Sequence, residues 1–188
     1  MKVPVEGLEE LVDETKKCLS DAMKNHFLRV QKVKIQERKQ AMIEECKTII
    51  HVASGAAGLI PIPFSDALAI APIQAGMIYK MNDAFGMDLD KSVGASLVAG
   101  LLSVTAVAQV GRTLVNGFLK FIPVVGSVAG GATAAVITEG IGFAYLKVLE
   151  KCFNDETGEV NLPDEVGMIT SLFKENYLNL DTIKKLKP

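Results

Sequence analysis

The chain is 188 residues long, which is enough for one domain with a sizeable hydrophobic core. Apolar residues make up 49% of the chain and aromatic residues only 6%, with no Trp, so aliphatic and small side chains must fill that core. The net charge of −2, from 20 basic and 22 acidic residues, excludes the strongly basic surface with which proteins bind nucleic acids.

Charged residues are concentrated towards the two ends of the chain. Residues 6–47 are rich in Glu, Lys and Arg, residues 48–146 contain few charged side chains, and residues 147–188 are charged again. Apolar residues recur at helical spacing over 6–31 and over 34–58, which predicts two amphipathic helices. We expect these helices to form an antiparallel pair that covers the apolar centre. The predicted buried stripes include Leu8, Leu11, Val12, Met23, His26, Val30, Met42, Cys46 and Ile50.

The centre of the chain predicts three apolar helices, over 65–85, 89–119 and 124–153. Pro61 and Pro123 each lie in an Ile-Pro corner that precedes a run rich in Ala and Gly. Proline favours an extended backbone before it and is well tolerated in the first turn of a helix. The two corners therefore indicate helix starts.

Two uncharged stretches in this centre are long enough to cross a membrane. Residues 92–111 are 20 uncharged positions and residues 121–138 are 18, which at ~1.5 Å per residue extend over about 27–30 Å. Ser, Thr, Gly and Pro reduce the hydrophobicity of both stretches, and the flanking basic residues favour neither orientation. The sequence leaves open both a soluble bundle with buried central helices and attachment to a membrane.

One of the apolar helices carries small side chains at a regular spacing of four residues. This small-residue ridge consists of Gly126, Gly130, Ala134, Thr138 and Gly142. Such a ridge lets a second helix approach closely. We expect the second helix to be the one over 92–111, through Ala95 and Ala99, rather than another copy of the chain in a bilayer.

The last part of the chain predicts a loop over 154–161, a helix over 163–177 and a helical turn over 181–187. Together these elements predict an all-α fold without a β-sheet. The expected architecture is a helical bundle whose central Gly/Ala-rich apolar helices are covered by amphipathic N- and C-terminal helices. We divide the chain into a helical domain at 1–153 and a helical extension at 154–188.

The sequence contains no motif for catalysis or for binding a cofactor. The phosphate loop GxxxxGK[ST] is missing, as are the GxSxG and HExxH motifs, so we predict no enzyme activity, catalytic residue or cofactor. His26 and His51 have no second ligand at metal-binding spacing, so we expect core or interface histidines and no metal. Cys18, Cys46 and Cys152 are few and far apart, and the charged start of the chain lacks the pattern of a signal peptide. These features favour the reducing cytoplasm.

Three charged residues stand isolated in the apolar centre, namely Asp66, Arg112 and Glu139. Burying a charge is costly unless it is paired. Asp66 follows Ser65 at a predicted helix start, where it is expected to cap the free amides of the first turn. A pair between Arg112 and either Glu139 or Asp66 across the bundle is a further hypothesis.

Several stretches of the chain resemble the YcjF-like domain of unknown function. The stretches that carry the resemblance are 31–35 (QKVKI), 60–66 (IPIPFSD), 71–74 (APIQ), 111–115 (GRTLV) and 121–131 (FIPVVGSVAGG). The resemblance covers roughly residues 20–152. In that family the domain commonly follows an Era-like GTPase domain, and the helix over 6–31 begins with GLEEL, which resembles the start of the last helix of such a GTPase domain. The resemblance implies membrane association and coupling to a GTPase, and it carries over no catalytic residue.

Because the guanine-nucleotide-binding part is missing from this sequence, we expect either a C-terminal piece of a longer GTPase or a stand-alone member of the family. The leading function is a non-catalytic helical module that is cytoplasmic and peripheral or integral at a membrane. The alternatives are a soluble interaction or homo-oligomerisation domain and a small membrane-perturbing or pore-forming protein. The expected partners are membrane lipid, a GTPase domain in cis or trans, and a second copy of the chain, but not nucleic acid.

Overall fold

The computed structural model describes residues 6–60, 70–106 and 129–177. Over these residues the chain forms seven helices and one short hairpin. The helices are α1 (Leu8–Cys18), α2 (Asp21–Val30), α3 (Ile35–Gly58), α4 (Ala71–Ala84), α5 (Lys91–Ala106), α6 (Ala129–Cys152) and α7 (Val166–Tyr177). The hairpin pairs β1 (Phe153–Asn154) with the antiparallel β2 (Glu159–Val160). The predicted all-α fold is confirmed, and the expectation of no sheet is wrong only for this hairpin of two-residue strands.

The single helix predicted over 6–31 is wrong, because the chain breaks at Ser20 into α1 and α2. Ser20 has extended backbone with φ −66° and ψ 158°, and its carbonyl accepts the amides of Met23 and Lys24 in the first turn of α2. Ser is a favoured residue immediately before a helix, and the negative charge of Asp21 is stabilised in the first turn. The Ser-Asp pair is therefore the sequence signal for the break.

The five other long helices of the prediction are found where the structure describes them. The predicted stretches that lie outside the described residues are 65–69, 107–119, 124–128 and 181–187. The last described helix begins at Val166 rather than at 163. Residues 161–165 follow the hairpin and are not yet helical. The loop predicted over 154–161 is the turn of the hairpin together with β2, and Gly158 adopts a φ of 71° in that turn.

Helix α3 runs antiparallel to α4 and α6, whereas α4 and α6 run parallel to each other. Near the end of α4, the Cys46 thiol of α3 lies 3.8 Å from the carbonyl oxygen of Met81. In the same region the Tyr145 hydroxyl of α6 donates to Asn82 Oδ1 of α4 at 2.5 Å. The end of α3 instead packs with the starts of α4 and α6, and α5 runs back along α4 with Gly94 against Tyr79. One end of the bundle therefore holds the end of α3 and the starts of α4 and α6.

The helix α3 lies within the core, although the sequence predicted that it would cover the core from outside. Met42, Cys46 and Ile50, which belong to its predicted stripe, are at most 1% exposed. The prediction that the apolar stripe of α1 and α2 is buried is mostly wrong, because Val12 is the one buried residue of these two helices. Met23, for example, is 59% exposed. The helical spacing of apolar residues identified an apolar face on α1 and α2. The described part of the chain leaves most of this face uncovered.

The small-residue ridge packs against α3 and α4 rather than against α5. Thr138 is fully buried and accepts a hydrogen bond from Gln74 Nε2 of α4 at 3.2 Å. Ala134 packs with Ala57 of α3 and with Ile70 at the start of α4. The expectation that α5 is the partner helix is therefore wrong for the described part of the ridge.

The residues of α5 that were expected to meet the ridge, Ala95 and Ala99, are exposed. Gly126 lies outside the described residues, as do the surroundings of Gly130. The last position of the ridge, Gly142, is buried.

Gly142 is the point of closest approach between α3 and α6. A Cβ atom at this position would lie 2.5 Å from Cγ1 of Ile50, 3.0 Å from its Cγ2 and 3.1 Å from its Cδ1. Protein interiors are packed too densely for such overlaps to be relieved without moving neighbouring atoms. The two helices therefore pack at a separation that requires glycine on one side.

We predict that Gly142→Ala destabilises the protein. Alanine is favoured over glycine in a helix by about 1 kcal/mol, but overpacking a dense core typically costs about 1–3 kcal/mol. Chemical or thermal unfolding followed by circular dichroism measures the balance.

The matched control is Gly55→Ala on α3, where an added Cβ has no heavy atom within 4 Å. This control is expected to raise the melting temperature, because only the helix-propensity gain of about 1 kcal/mol applies. A melting temperature that rises equally in both variants would contradict the close packing of α3 on α6.

Candidate functional site

Charge is absent from the parts of four helices that lie side by side. No charged residue occurs in residues 48–60 at the end of α3, 70–79 at the start of α4, 92–106 of α5 or 129–138 of α6. The end of α3 packs with the starts of the parallel helices α4 and α6, and α5 packs on α4 through Gly94. These four stretches therefore lie together, and we call them the uncharged half. The charged residues of α1, α2, the hairpin and the first turns of α3 lie at the other end.

The surface of the uncharged half carries apolar or small side chains instead of charged ones. Val52 on α3 and Leu59, the residue that follows α3, are 65% and 85% exposed, and Val93 on α5 is 50% exposed. The exposed residues of α5 over 92–104 are Ser92, Val93, Ala95, Ser96, Ala99 and Ser103. Helices that face water normally carry charged or strongly polar residues on the outer face. Exposed apolar side chains in such a setting are typical of surfaces that meet a membrane or another protein.

The polar groups inside the bundle are used to join helices. The Gln74 amide donates to Thr138, and the fully buried Tyr145 donates its hydroxyl to Asn82. Burial raises the pKa of Tyr145 far above its ordinary value, so this phenol stays protonated as a donor. Both bonds connect α4 to α6 and fix their register. These side chains hold the fold together rather than forming a reactive group.

Glu139 is the first charged residue of α6, and it lies at the edge of the uncharged half. Its carboxylate Oε1 is 3.3 Å from Nδ1 of His51 on α3, and the His51 ring packs edge-on against Phe143. Burial raises the pKa of Glu139, and the neighbouring His51 partly offsets that rise. The hypothesised partners Asp66 and Arg112 lie outside the described residues. His51 thus lies at the edge of the interface between α3 and α6. Its side chain contacts α6 but remains largely exposed to solvent.

His26, for which the sequence predicted a place in the core or at an interface, does not lie in the core. It is exposed on α2, because that helix buries none of its side chains. In the ranges that the structure describes, no three His, Cys, Asp or Glu side chains are grouped closely enough to hold a metal ion.

The three cysteines lie in different environments and are all free thiols. Cys46 is completely buried, and burial raises the pKa of its thiol to about 12. Cys152 is half-buried and its pKa is also raised by burial, whereas Cys18 is exposed. A thiol must ionise to act as a nucleophile or a metal ligand. Burial therefore suppresses the reactivity of Cys46 and Cys152.

Four charged side chains attach α1 to the start of α3, and we call them the charge cluster. Lys16 Nζ lies 2.7 Å from Glu37 Oε2, and Lys34 Nζ lies 2.7 Å from Asp13 Oδ1. Contacts of 3.6 Å between Lys16 and Asp13 and of 3.5 Å between Lys34 and Glu37 close the ring. Hydrogen bonds from the lysines hold the pKa of both carboxyls below their ordinary values. Because these side chains are partly exposed, salt weakens the attachment.

Among the residues that the structure describes, no helix combines the length and the hydrophobicity needed to span a bilayer. The two uncharged stretches noted in the sequence, 92–111 and 121–138, are only partly described.

Comparison with known proteins identifies a family and one named relative. Magnetosome membrane protein 22 of Magnetospirillum gryphiswaldense is 28% identical over 111 residues. That match covers 59% of this chain and 57% of the relative, so the chain spans little more than half of the relative's length. No solved structure matches the chain.

The family described as a domain of unknown function (DUF697) matches residues 22–175. This match extends into α7 and confirms the resemblance to YcjF-like domains. It covers far more than half of the 188 residues. The chain therefore belongs to the DUF697 family.

Proposed function

We propose that the chain is a non-catalytic helical module that binds a membrane peripherally through its uncharged half, with the charged end in water. The observation that carries this proposal is the alignment of four charge-free helix segments at one end of the bundle, with Val52 and Leu59 exposed there. The membership in the DUF697 family and the name of the magnetosome membrane relative support it.

The sequence of the segments that join this end of the bundle also favours contact with lipid. Residues 61–69 connect α3 to α4, and residues 107–128 connect α5 to α6. Together these segments contain one acidic residue, Asp66, and two basic residues, Arg112 and Lys120. Basic residues near an anionic membrane surface each contribute about 1 kcal/mol to binding. The apolar composition, with two basic side chains against one acidic, is therefore suited to the boundary between acyl chains and anionic headgroups.

Exposed side chains on α3 supply the apolar contact in this proposal. Transfer of a fully exposed Val or Leu side chain into an apolar medium is worth about 1.5–3 kcal/mol. Val52 and Leu59 are separated by seven residues, so they lie on one face of α3, two helical turns apart. A single helix face thus presents both side chains to the same surface.

A second candidate function is homo-oligomerisation through α5. The exposed Ala95, Ser96, Ala99 and Ser103 recur at spacings of three to four residues, so a second helix has room for close approach. Sedimentation analysis without lipid separates the two candidates, since a stable dimer would bury this face in the absence of any membrane. A monomer that floats with vesicles favours membrane binding.

We also propose that α1 and α2 are the surface that couples the module to a GTPase domain, in cis or in trans. The support is the resemblance of the α1 sequence to the last helix of such a domain and the exposure of apolar side chains that a partner would cover. Leu11 and Met23 are 61% and 59% exposed on these helices. The charge cluster attaches α1 to α3 by ion pairs, which are easier to open than a packed apolar contact. No catalytic step or cofactor is assigned to this chain.

For membrane binding, we predict that the double variant Val52→Glu/Leu59→Glu loses flotation with vesicles that contain anionic lipid. Each substitution removes an apolar contact worth at least about 1.5 kcal/mol, and 1.4 kcal/mol corresponds to a tenfold change in partitioning. The expected loss is therefore at least about tenfold for each residue, measured by flotation of the full chain with phosphatidylcholine vesicles containing phosphatidylglycerol.

Met23→Glu on α2 is the matched control, because Met23 is similarly exposed but lies between the charged residues Asp21 and Lys24, outside the four uncharged stretches. It is expected to float like the unmodified chain. Equal flotation of the double variant and the unmodified chain would exclude the proposed surface, and so would an equal loss in the Met23→Glu control.

For the attachment of α1, we predict that Lys34→Gln accelerates amide hydrogen exchange in α1 while α3 and α6 stay protected. The pKa values of Asp13 and Glu37 are lowered in the folded protein. The stability that these two carboxylates contribute is therefore complete above their ordinary pKa values of 3.8 and 4.5, and it is lost as the pH falls through the lowered pKa values. The unmodified chain should show the same selective acceleration in 1 M salt near pH 7.

Lys17→Gln is the control for this experiment, since Lys17 pairs with Glu14 within α1 and makes no bridge to α3. Exchange in α1 should change much less in this variant. If Lys34→Gln and Lys17→Gln have the same effect, the charge cluster does not hold α1 on α3.

A further inference from the structure

A cavity of about 1010 Å³ lies at the charged end of the bundle. Its walls come from the end of α2, from the turn between α4 and α5, and from β2. Arg38 on α3 also lines the cavity and is only 6% exposed. An arginine buried to this extent is rare unless its charge is paired.

The guanidinium of Arg38 lacks a charged partner among the described residues. Its Nη1 donates to the backbone carbonyls of Val30 and Gln31, both at 3.2 Å, while its buried Nε has no acceptor in the described part of the chain. Glu159 influences Arg38 electrostatically but is itself paired with Lys32 at 2.6 Å. Neutral carbonyls satisfy hydrogen bonds but do not neutralise the charge, and burying an uncompensated charge is costly.

Arg29 on α2 shows the same feature in the same cavity. It lines the cavity beside Val30, and its Nε is also buried without an acceptor in the described ranges. Buried polar groups are almost always satisfied, so these two Nε atoms show that the protein leaves both guanidinium groups beside the cavity incompletely hydrogen-bonded. A water molecule would accept a hydrogen bond but would leave the buried charge of Arg38 without an ion-pair partner.

We propose that this cavity is a binding site for a carboxylate, held by Arg38 and Arg29. The guanidinium group matches a carboxylate in shape and charge. Three acidic residues, Asp83, Asp88 and Glu159, also line the cavity, together with the basic Lys32 that pairs with Glu159. Their repulsion opposes a doubly charged phosphate more strongly than a singly charged carboxylate. The site therefore favours a monoanionic ligand over a phosphate group.

The turn between α4 and α5 offers a way to test this assignment from within the chain. Gly86 has a φ of 68°, and a Cβ atom built on it would lie 3.7 Å from Arg38 Nη2. Asn and Asp tolerate this left-handed backbone better than other side chains. Gly86→Asp therefore places a tethered carboxylate next to Arg38, and Gly86→Asn places a neutral group of the same size there.

The first experiment follows the Nε–Hε resonances of Arg38 and Arg29 in ¹⁵N-edited spectra of the full chain at constant ionic strength. Acetate is expected to shift the Arg38 resonance saturably, with half-saturation in the millimolar range, whereas chloride should produce no saturable shift. Inorganic phosphate is expected to bind at least tenfold more weakly than acetate near pH 7. Arg29→Gln should weaken acetate binding severalfold while the Arg38 resonance remains observable.

The second experiment compares the two Gly86 variants. Gly86→Asp is expected to have a higher melting temperature than Gly86→Asn and at least tenfold weaker acetate binding, because the tethered carboxylate occupies the site. Absence of a saturable acetate shift in the unmodified chain would overturn the proposal. Tighter binding of phosphate than of acetate, or identical melting temperature and acetate affinity in the two Gly86 variants, would also overturn it.

Discussion

Ile50 of α3 packs onto Gly142 of α6 at a distance that leaves no room for a β-carbon, and the arrangement of the other central helices follows from that contact. With α3 and α6 this close, α4 fits into the groove between them and bonds to α6 through the Gln74–Thr138 pair. Moving α4 away from α6 would break this hydrogen bond and leave buried polar groups unsatisfied, which costs about 1–3 kcal/mol per group. Close helix packing and internal polar bonding therefore support each other.

The sequence predicted which faces of the central helices are buried, because a helix turns every 3.6 residues and repeats its apolar positions accordingly. Met42, Cys46 and Ile50 were identified in this way, as was the ridge that ends at Gly142. The partner of the ridge was not predictable from spacing. A row of small residues indicates close approach but does not specify whether the incoming side chain is small, like Ala95, or large, like Ile50.

The charged end shows a different limit of sequence analysis. Helices α1 and α2 do carry an apolar stripe, yet most of it is exposed. Helical periodicity identifies an apolar face but does not show whether the surface that covers it belongs to the same molecule. Arg38 lies within a run of charged residues, so its sequence context is typical of a solvated surface. Its burial arises because α2 folds back over α3 and brings the carbonyls of Val30 and Gln31 to the guanidinium. That contact is tertiary and leaves no local signal.

The first turns of α3 contact α1 and the end of α2 and also line the cavity at the charged end. Lys34 and Glu37 join α1, and Arg38 joins the end of α2 and lines the cavity at this end. From there α3 continues without a break through 24 residues, or about 36 Å, to the exposed Leu59. Any force that repositions α1 or α2 therefore acts on the same helix that carries Val52 and Leu59. Since Gly142 holds the middle of α3 tightly against α6, a displacement at its start is expected to move α3 and α6 together.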